Sequence, residues 1–221
     1  MITKHSLIAG MLLTMLALLI SCSQAPEGKT VEAGEAEEVA EATATDTLTV
    51  DTASSAISWE GTEPGDEGHY GDMKIKSGTL FVNDGAISGG QFVIDMESIN
   101  VTDLEGKRKA NLEGHLKDGD FFETDKYPEA TFTIAEVSPT EGDSTSNYII
   151  KGNLQMKDST KSIEIPAQVS VNESMVTATT PPFTIDRTQW GVMYRSTALG
   201  TLKNKLINDR IGLTINLEAK K

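Results

Sequence analysis

Alternation of apolar and polar residues with a period of two, sustained from Thr47 onward, is the feature that most constrains this sequence. The stretch SIEIPAQVSV, residues 162–171, is the clearest case, because its apolar side chains fall on one face and its polar ones on the other. Such alternation is typical of a strand with one buried face. Further stretches of this kind are 48–59 (interrupted at 52–55), 73–82, 90–96, 130–134, 148–156, 175–185 and 210–219.

These stretches predict an all-β domain of about eight half-buried strands. The tripeptide NDG at 83–85 predicts a hairpin between the second and third strands. Only residues 102–119 favour a helix, and Gly106 and Gly114 weaken that pattern. Eight such strands either close into an antiparallel barrel or pair as a sandwich. Closure removes exposed strand edges and leaves room for one small ligand, which favours the barrel, while the sandwich stays open.

Composition narrows the function classes. The length of 221 residues fits one globular domain with appendages. The net charge of −14 argues against a nucleic-acid partner. The glycine patterns of dinucleotide and phosphate sites are absent from the sequence, as are HExxH, CxxC and GxSxG.

The N-terminus predicts a signal peptide over residues 1–21. An apolar run from Leu7 to Ile20 follows Lys4 and is too short to span a bilayer. It ends in Leu-Ile-Ser-Cys, which resembles the bacterial lipobox and implies acylation of Cys22, with palmitate for example, as a lipid anchor. An ordinary signal peptide that ends near a cysteine is the alternative. Cys22 is the only cysteine, so an intrachain disulfide is excluded. We therefore expect a membrane-anchored lipoprotein of the bacterial cell envelope, on its periplasmic face or at the cell surface.

Residues 22–46 predict a disordered, acidic tether before a domain at 47–221. Between Glu27 and Asp46 the chain has seven acidic residues, one basic residue and no aromatic residue. A segment of this composition buries too little apolar surface to offset the entropy lost on ordering.

Four stretches in the domain resemble the motifs of one known family. They are HLKDGDFFETDKYPEATF at 115–132, GNLQMKDSTKSIEIP at 152–166, IDRTQWGV at 185–192 and the dipeptide SI at 98–99. In this order they are similar to the motifs of the YceI family. The sequence departs from those motifs at Leu112 and Glu113, at Lys157 and Asp158, and at Asp186.

The resemblance implies a lipocalin-like barrel with a short helical connection that binds a polyisoprenoid lipid, such as a quinone tail or a polyprenyl lipid, without chemistry or cofactor. A possible homodimer is implied as well, since relatives dimerise. The residues expected to form the ligand-binding wall are Trp59, Phe92, Ile94, Met96, Phe132, Ile134, Ile150, Leu154, Ile165, Phe183 and Trp190. The same inward residues could instead fill a solid barrel.

Phe121 and Phe122 stand side by side in a run of charged residues. We expect them to point to opposite sides of the helical connection, one into the barrel core and the other into the seam beneath the helix. A structural role is favoured over direct ligand contact.

Other function classes have weaker support. Acid–base catalysis could use His115 with Asp118 or Asp120, or His69 with the carboxylates at 66, 67 and 72. Two distant histidines are weak evidence for zinc, and a loose calcium site stays open. We predict neither catalytic residues nor a metal.

A structural or stress-protective envelope protein with a filled barrel is the remaining alternative. In that case Arg187 would pair with a buried carboxylate and Trp190 would anchor the fold. An Arg–carboxylate pair is favoured over head-group recognition, although the planar guanidinium suits either role.

Overall fold

The computed structural model describes residues 25–64, 68–141, 144–202 and 206–221. This part of the chain has one α-helix, α1 (Gly106–Lys117), and two short 3₁₀ helices, Arg187–Trp190 and Thr197–Leu199. Within it, no helix has the length and hydropathy needed to cross a membrane. Its strands are β1 (Lys29–Thr30), β2 (Asp46–Val50), β3 (Ala56–Gly61), β4 (His69–Asn83), β5 (Ala86–Val101), β6 (Glu129–Pro139), β7 (Tyr148–Met156), β8 (Ser159–Val171), β9 (Met175–Thr179), β10 (Phe183–Asp186) and β11 (Arg210–Lys220).

Strand β11 closes the sheet into a ring. It pairs antiparallel with β3 on one side and with β9 on the other, so the path β11-β3-β4-β5-β6-β7-β8-β9 returns to β11 after eight strands. Strand β2 pairs with both β11 and β4, and so joins the same two strands that β3 joins. Strand β10 pairs with the first residues of β11. The predicted all-β fold of eight antiparallel strands is confirmed, and closure rules out the sandwich.

Local signals in the sequence correspond to the observed turns. Asp84 and Gly85 have φ angles of 50° and 82°, the left-handed pair that a tight hairpin requires, and they join β4 to β5. The register between β4 and β5 shifts between Ile75 and Ser77, and Gly78 is paired regularly with Phe92. Gly78 is needed for close packing, since a Cβ there would lie 2.6 Å from Val50 and 2.8 Å from Phe92.

The interior of the ring holds a continuous apolar core. Its buried members run from Val31 to Ala219 and form two clusters, one toward each end of the ring. Leu48, Leu80 and Val176 are fully buried in the first cluster, and Phe183 and Ile185 in the second.

Residues 29–45, which we call the strap, lie along the outside of the ring. Strand β1 pairs in parallel with β10, and the Val31 N–H continues the pairing to the Thr184 carbonyl at 2.8 Å. Gly34 then exchanges two backbone hydrogen bonds with Ser162 on β8, at 2.9 and 3.1 Å. The strap thus fills the gap between β8 and β10, two strands that do not pair with each other in the described sheet.

The strap continues across the ring with side-chain contacts. Asn153 accepts from the backbone N–H of Glu37 and donates to its carbonyl, and Lys151 lies 2.6 Å from the Glu37 carboxylate. The Ser88 hydroxyl donates to the carbonyl of Thr43. The structure therefore differs from the tether predicted over 22–46, because residues 29–37 and 43–45 are bound to the ring. Composition measures only what a segment can bury by itself, whereas this one satisfies its backbone on free strand edges.

Arg187 is the largest buried charged side chain in the described residues, with 1% of its surface exposed. Its guanidinium donates to the carbonyls of Asn208, Val192 and Ile207 and to the carboxylate of Asp209. Burial lowers the pKa of Arg187, while the negative charges of Asp209 and Asp186 oppose that shift. The side chain thus joins the segment after β10 to the segment before β11, and the predicted pairing with a carboxylate is present, with Asp209 as partner.

Val31→Asp should release the strap, because it puts a charge into the closed seam between β8 and β10. We expect a loss of about 2 kcal/mol or more in the free energy of unfolding, measured by urea denaturation, and faster hydrogen exchange over residues 29–37. Val39→Asp, on the exposed part of the strap, is the matched control. Equal stability of the two variants would show that the strap does not contribute to the fold.

Arg187→Met should destabilise the protein by about 3 kcal/mol, because three carbonyls and the Asp209 carboxylate around the buried guanidinium lose their donor. Arg195→Met is the control, since Arg195 is a partly exposed partner of Glu63 and its pair contributes about 1 kcal/mol or less. Thermal unfolding of both variants provides the comparison. The assigned role of Arg187 fails if its variant melts no lower than that of Arg195.

Candidate functional site

An inner cavity of about 150 Å³ lies inside the ring. Every side chain on its wall is apolar apart from Thr180. The wall comes from inward-facing positions of all eight ring strands and of β10, and it is completed by Phe122, which follows α1. Phe92 and Phe132, paired across β5 and β6, stack there with ring centroids 6.4 Å apart. Such a wall suits a hydrocarbon, because a polar ligand would lose its hydrogen bonds to water and gain none.

The structure places nine of the eleven residues of the predicted ligand wall on this inner cavity. Alternation along the strands brings them together, because one face of each strand points into the ring. Whether they contact a ligand stays a prediction. The nine are Phe92, Ile94, Met96, Phe132, Ile134, Ile150, Leu154, Ile165 and Phe183.

The two tryptophans of the predicted wall lie elsewhere. Trp59 lines a second cavity and donates from its indole N–H to the carbonyl of Asp72 at 3.3 Å. Trp190 lines neither cavity, so its placement on the ligand wall is corrected. It lies on a 3₁₀ helix after β10, fully buried, with its indole N–H 3.0 Å from the carbonyl of Leu154. A tryptophan outside a strand does not follow the inward alternation of the strands.

Four residues that line the inner cavity are not among those predicted from the sequence. Met73, Phe122, Ile211 and Leu213 line both cavities and lie where the two meet. The alternating apolar positions of β11 are visible in the sequence, so that strand could have been added to the wall. Nothing in the sequence shows Phe122 turning inward from an irregular segment.

The second cavity, of about 420 Å³, forms a mouth at one end of the ring. We call it the mouth cavity. Unlike the inner cavity, it has polar groups on its wall, among them His69, His115, Glu63 and Arg195. Residues 61–63, 68–69 and 194–195 supply most of these groups, and α1 supplies His115 and Leu116.

The adjacent phenylalanines belong to this arrangement. Phe121 is buried beneath α1, with its ring 5.1 Å from that of His115 and 5.3 Å from that of Tyr194. Phe122 turns toward the ring interior and lines both cavities. One phenylalanine thus fixes the helix and the other lies between the mouth cavity and the inner cavity. Phe122 is therefore placed to contact a ligand in either cavity, although a structural role was favoured for it from the sequence.

The histidines considered for catalysis have other partners. His69 Nδ1 lies 2.7 Å from Asp103, while the Asp72 carboxylate accepts from the side chain of Asn100. Burial acts to raise the pKa of Asp103, but hydrogen bonds from His69 and from the Tyr70 N–H outweigh it and lower that pKa below its usual value. His115 packs its ring against Phe121 and Tyr194.

The remaining candidates are two carboxylates near His69 and a metal site. The carboxylates at positions 66 and 67, considered beside His69, lie outside the described residues. Among the residues that the structure describes, no group of three histidine, cysteine or carboxylate side chains has the spacing to hold a metal ion.

A short stretch of the chain is similar to a known protein. The chain is 38% identical over 60 residues to the UPF0312 protein plu2095 of Photorhabdus laumondii. That match spans 27% of this chain and 29% of the relative.

Two solved structures share the fold over most of their length. BcnA of Burkholderia cenocepacia matches with a TM-score of 0.59 and 19% identity, covering 76% of this chain and 98% of BcnA. A polyisoprenoid binding domain from Saccharophagus degradans, implicated in plant cell wall breakdown, matches with a TM-score of 0.55 and 16% identity. That match covers 78% of this chain and 97% of the domain.

A family model provides the decisive comparison. The model of the YceI-like domain matches residues 48–219, which include every strand of the ring apart from the last residue of β11. The family predicted from the four motifs is thereby confirmed. The chain belongs to the YceI-like domain family.

Proposed function

We propose that the protein binds a long-chain lipid of the isoprenoid type inside its ring of strands and stores or carries it without chemistry. The observation that supports this most directly is the inner cavity, whose wall is apolar except for Thr180 and which joins a mouth cavity at Met73, Phe122, Ile211 and Leu213. A related domain from Saccharophagus degradans is described as polyisoprenoid binding, which supports the same ligand class.

The size of the two cavities defines what binding requires. An apolar cavity of about 150 Å³ can hold a six-carbon ring, so the inner cavity alone takes about one isoprene unit. A tail of several units must also fill the mouth cavity. Loading therefore requires Met73 and Phe122, which lie at the junction, to move apart. Both side chains can adopt other rotamers, and methionine adapts to irregular apolar shapes.

The energetics favour exchange over permanent retention. Removing a methylene group from water is favourable by about 0.8 kcal/mol, yet a bilayer shelters the same tail equally well. Transfer between membrane and cavity is therefore nearly balanced, and the shape of the wall determines which tail is preferred. A near-balance of this kind is what a carrier needs in order to release its ligand.

A structural or stress-protective protein with a filled ring is the second candidate. The small volume of the inner cavity, about 150 Å³, favours it, because little interior space is left by the protein's own side chains. The two candidates differ in whether apolar tails enter the ring, and the first experiment below separates them.

The proposal includes a membrane anchor at Cys22. The lipobox-like sequence before that residue supports acylation, and the strap begins only seven residues later, at Lys29. An extended chain of that length spans at most about 25 Å, so an acylated Cys22 would hold the ring close to the bilayer of the cell envelope. A homodimer remains a prediction from the family resemblance.

Ala178→Phe should block loading, because it places an aromatic ring inside the inner cavity. We expect the purified chain from Ser23 onward to take up an added polyprenol, measured by solvent extraction and mass spectrometry. The variant should take up at least about tenfold less, since the ring displaces about one isoprene unit and each buried methylene contributes about 0.8 kcal/mol.

The matched control is Ala56→Phe, which adds the same ring at an exposed position of β3. Thermal unfolding verifies that both variants fold. Equal polyprenol uptake by the two folded variants would contradict binding inside the ring. Failure of the unmutated protein to take up any polyprenol would favour the filled-ring candidate.

Cys22→Ser should abolish anchoring, because serine cannot form the thioether that a lipoprotein cysteine carries. In the native host we expect the unmutated chain in the membrane fraction with incorporated radioactive palmitate, and the variant without label. Labelling that persists in the variant would contradict an anchor at this residue.

A further inference from the structure

Most polar side chains that the structure describes on the wall of the mouth cavity already have partners. His69 is paired with Asp103, and Glu63 is paired with Arg195. Arg187 donates to three carbonyls and a carboxylate. The indole and the threonine hydroxyl on the same wall are hydrogen-bonded as well. These groups therefore hold the rim of the mouth together.

His115 and Tyr194 differ from these groups. Both line the mouth cavity, and their rings meet edge to face with centroids 4.7 Å apart. Both are half-buried, and neither side chain has a hydrogen-bond partner among the described residues. In the same part of the chain, no side-chain nitrogen or oxygen that is sealed from water lacks a partner. The imidazole nitrogens and the phenol oxygen must therefore contact water, which a ligand in the cavity can replace.

The pair lies close to the junction of the two cavities. The Phe121 ring separates His115 from Phe122, with centroid distances of 5.1 Å to His115 and 6.2 Å to Phe122. Phe122 in turn lines both cavities. A lipid whose head lies at His115 and Tyr194 can therefore extend its tail past Phe122 into the inner cavity.

The chemistry of the pair suits an oxygen atom. A neutral imidazole carries one N–H donor and a phenol carries one O–H donor, and a hydroxyl or carbonyl oxygen has lone pairs for both. A hydrocarbon at the same place would displace the water from His115 and Tyr194 and offer no hydrogen bond in return, which is costly. The pair thus discriminates between lipids that have similar tails and different ends.

We propose that His115 and Tyr194 form a head-group site, and that the lipid ends there in a hydroxyl or carbonyl oxygen, as in a prenyl alcohol or a prenyl quinone. The inference rests on the proposed function, because it requires an isoprenoid tail inside the ring of strands. It adds a specificity, namely that an isoprenoid with an oxygen-bearing head is preferred at this site over an isoprenoid hydrocarbon.

The test uses the chain from Ser23 onward, which contains every residue that the structure describes. The ligands are geranylgeraniol, the hydrocarbon that lacks its hydroxyl, and a quinone with the same tail. Solvent extraction and mass spectrometry over a concentration series yield an apparent Kd for each ligand. His115→Phe and Tyr194→Phe each keep an aromatic ring and remove the hydrogen-bonding atoms. We expect each variant to bind the alcohol, the quinone or both about fivefold more weakly, and the hydrocarbon at least as well as the unmutated chain does.

Tyr70→Phe is the matched control, because it removes the same hydroxyl from an exposed residue outside the described wall of the mouth cavity. It should bind all three ligands as the unmutated chain does, and thermal unfolding verifies that every variant folds. A selective loss for the alcohol assigns a hydroxyl head, and a selective loss for the quinone assigns a carbonyl head. An equal loss for the hydrocarbon, or an equal loss in Tyr70→Phe, would overturn the head-group site.

The same measurements separate this inference from the proposed function. Binding of none of the three ligands by the unmutated chain would refute lipid binding, and the head-group site with it. Binding of all three ligands, with unchanged Kd values in His115→Phe and Tyr194→Phe, would leave lipid binding intact and refute only the head-group site.

Discussion

The pairing of β11 with both β3 and β9 is the interaction on which the rest of the structure depends. It joins the last described strand to the first strand of the ring, which removes the two end edges that an open eight-stranded sheet would expose. It also fixes which face of every strand points inward. Because the inward faces are apolar, closure creates an interior that excludes water and that can hold only an apolar occupant. The inner cavity is the part of that interior which the protein's own side chains leave unfilled.

Closure through hydrogen-bonded strands is incomplete between β8 and β10, and the strap completes it. Val31 enters the core at this seam, while the polar contacts of Glu37 with Asn153 and Lys151 hold the strap farther along the ring. The mouth depends in a similar way on one buried cation. Arg187 organises the segments around it through three carbonyls and Asp209, and that carboxylate also accepts from the Thr197 hydroxyl at the start of a 3₁₀ helix.

The sequence predicts the parts of this arrangement that follow from a repeating pattern. The alternation in β8 identifies its buried face, and the NDG turn identifies the β4–β5 hairpin, because each depends only on neighbouring residues. Nine residues of the predicted wall lie on the inner cavity for the same reason. Trp190 was misplaced because it lies outside a strand, and Phe122 was missed because its direction depends on contacts made only after α1 folds back. The order of the strap could not be predicted from its composition, since its partners Asn153, Ser162 and Thr184 lie at least 116 residues farther along the chain.

The central claim is that the interior of the ring accepts an apolar tail through the mouth cavity. A crystal structure of the chain from Ser23 onward, grown with a short prenol such as geranylgeraniol, tests it most directly. The account predicts electron density that runs from the mouth cavity, between displaced Met73 and Phe122 side chains, to the stacked rings of Phe92 and Phe132. Prenol density confined to the outer surface, with the inner cavity unchanged, would contradict it.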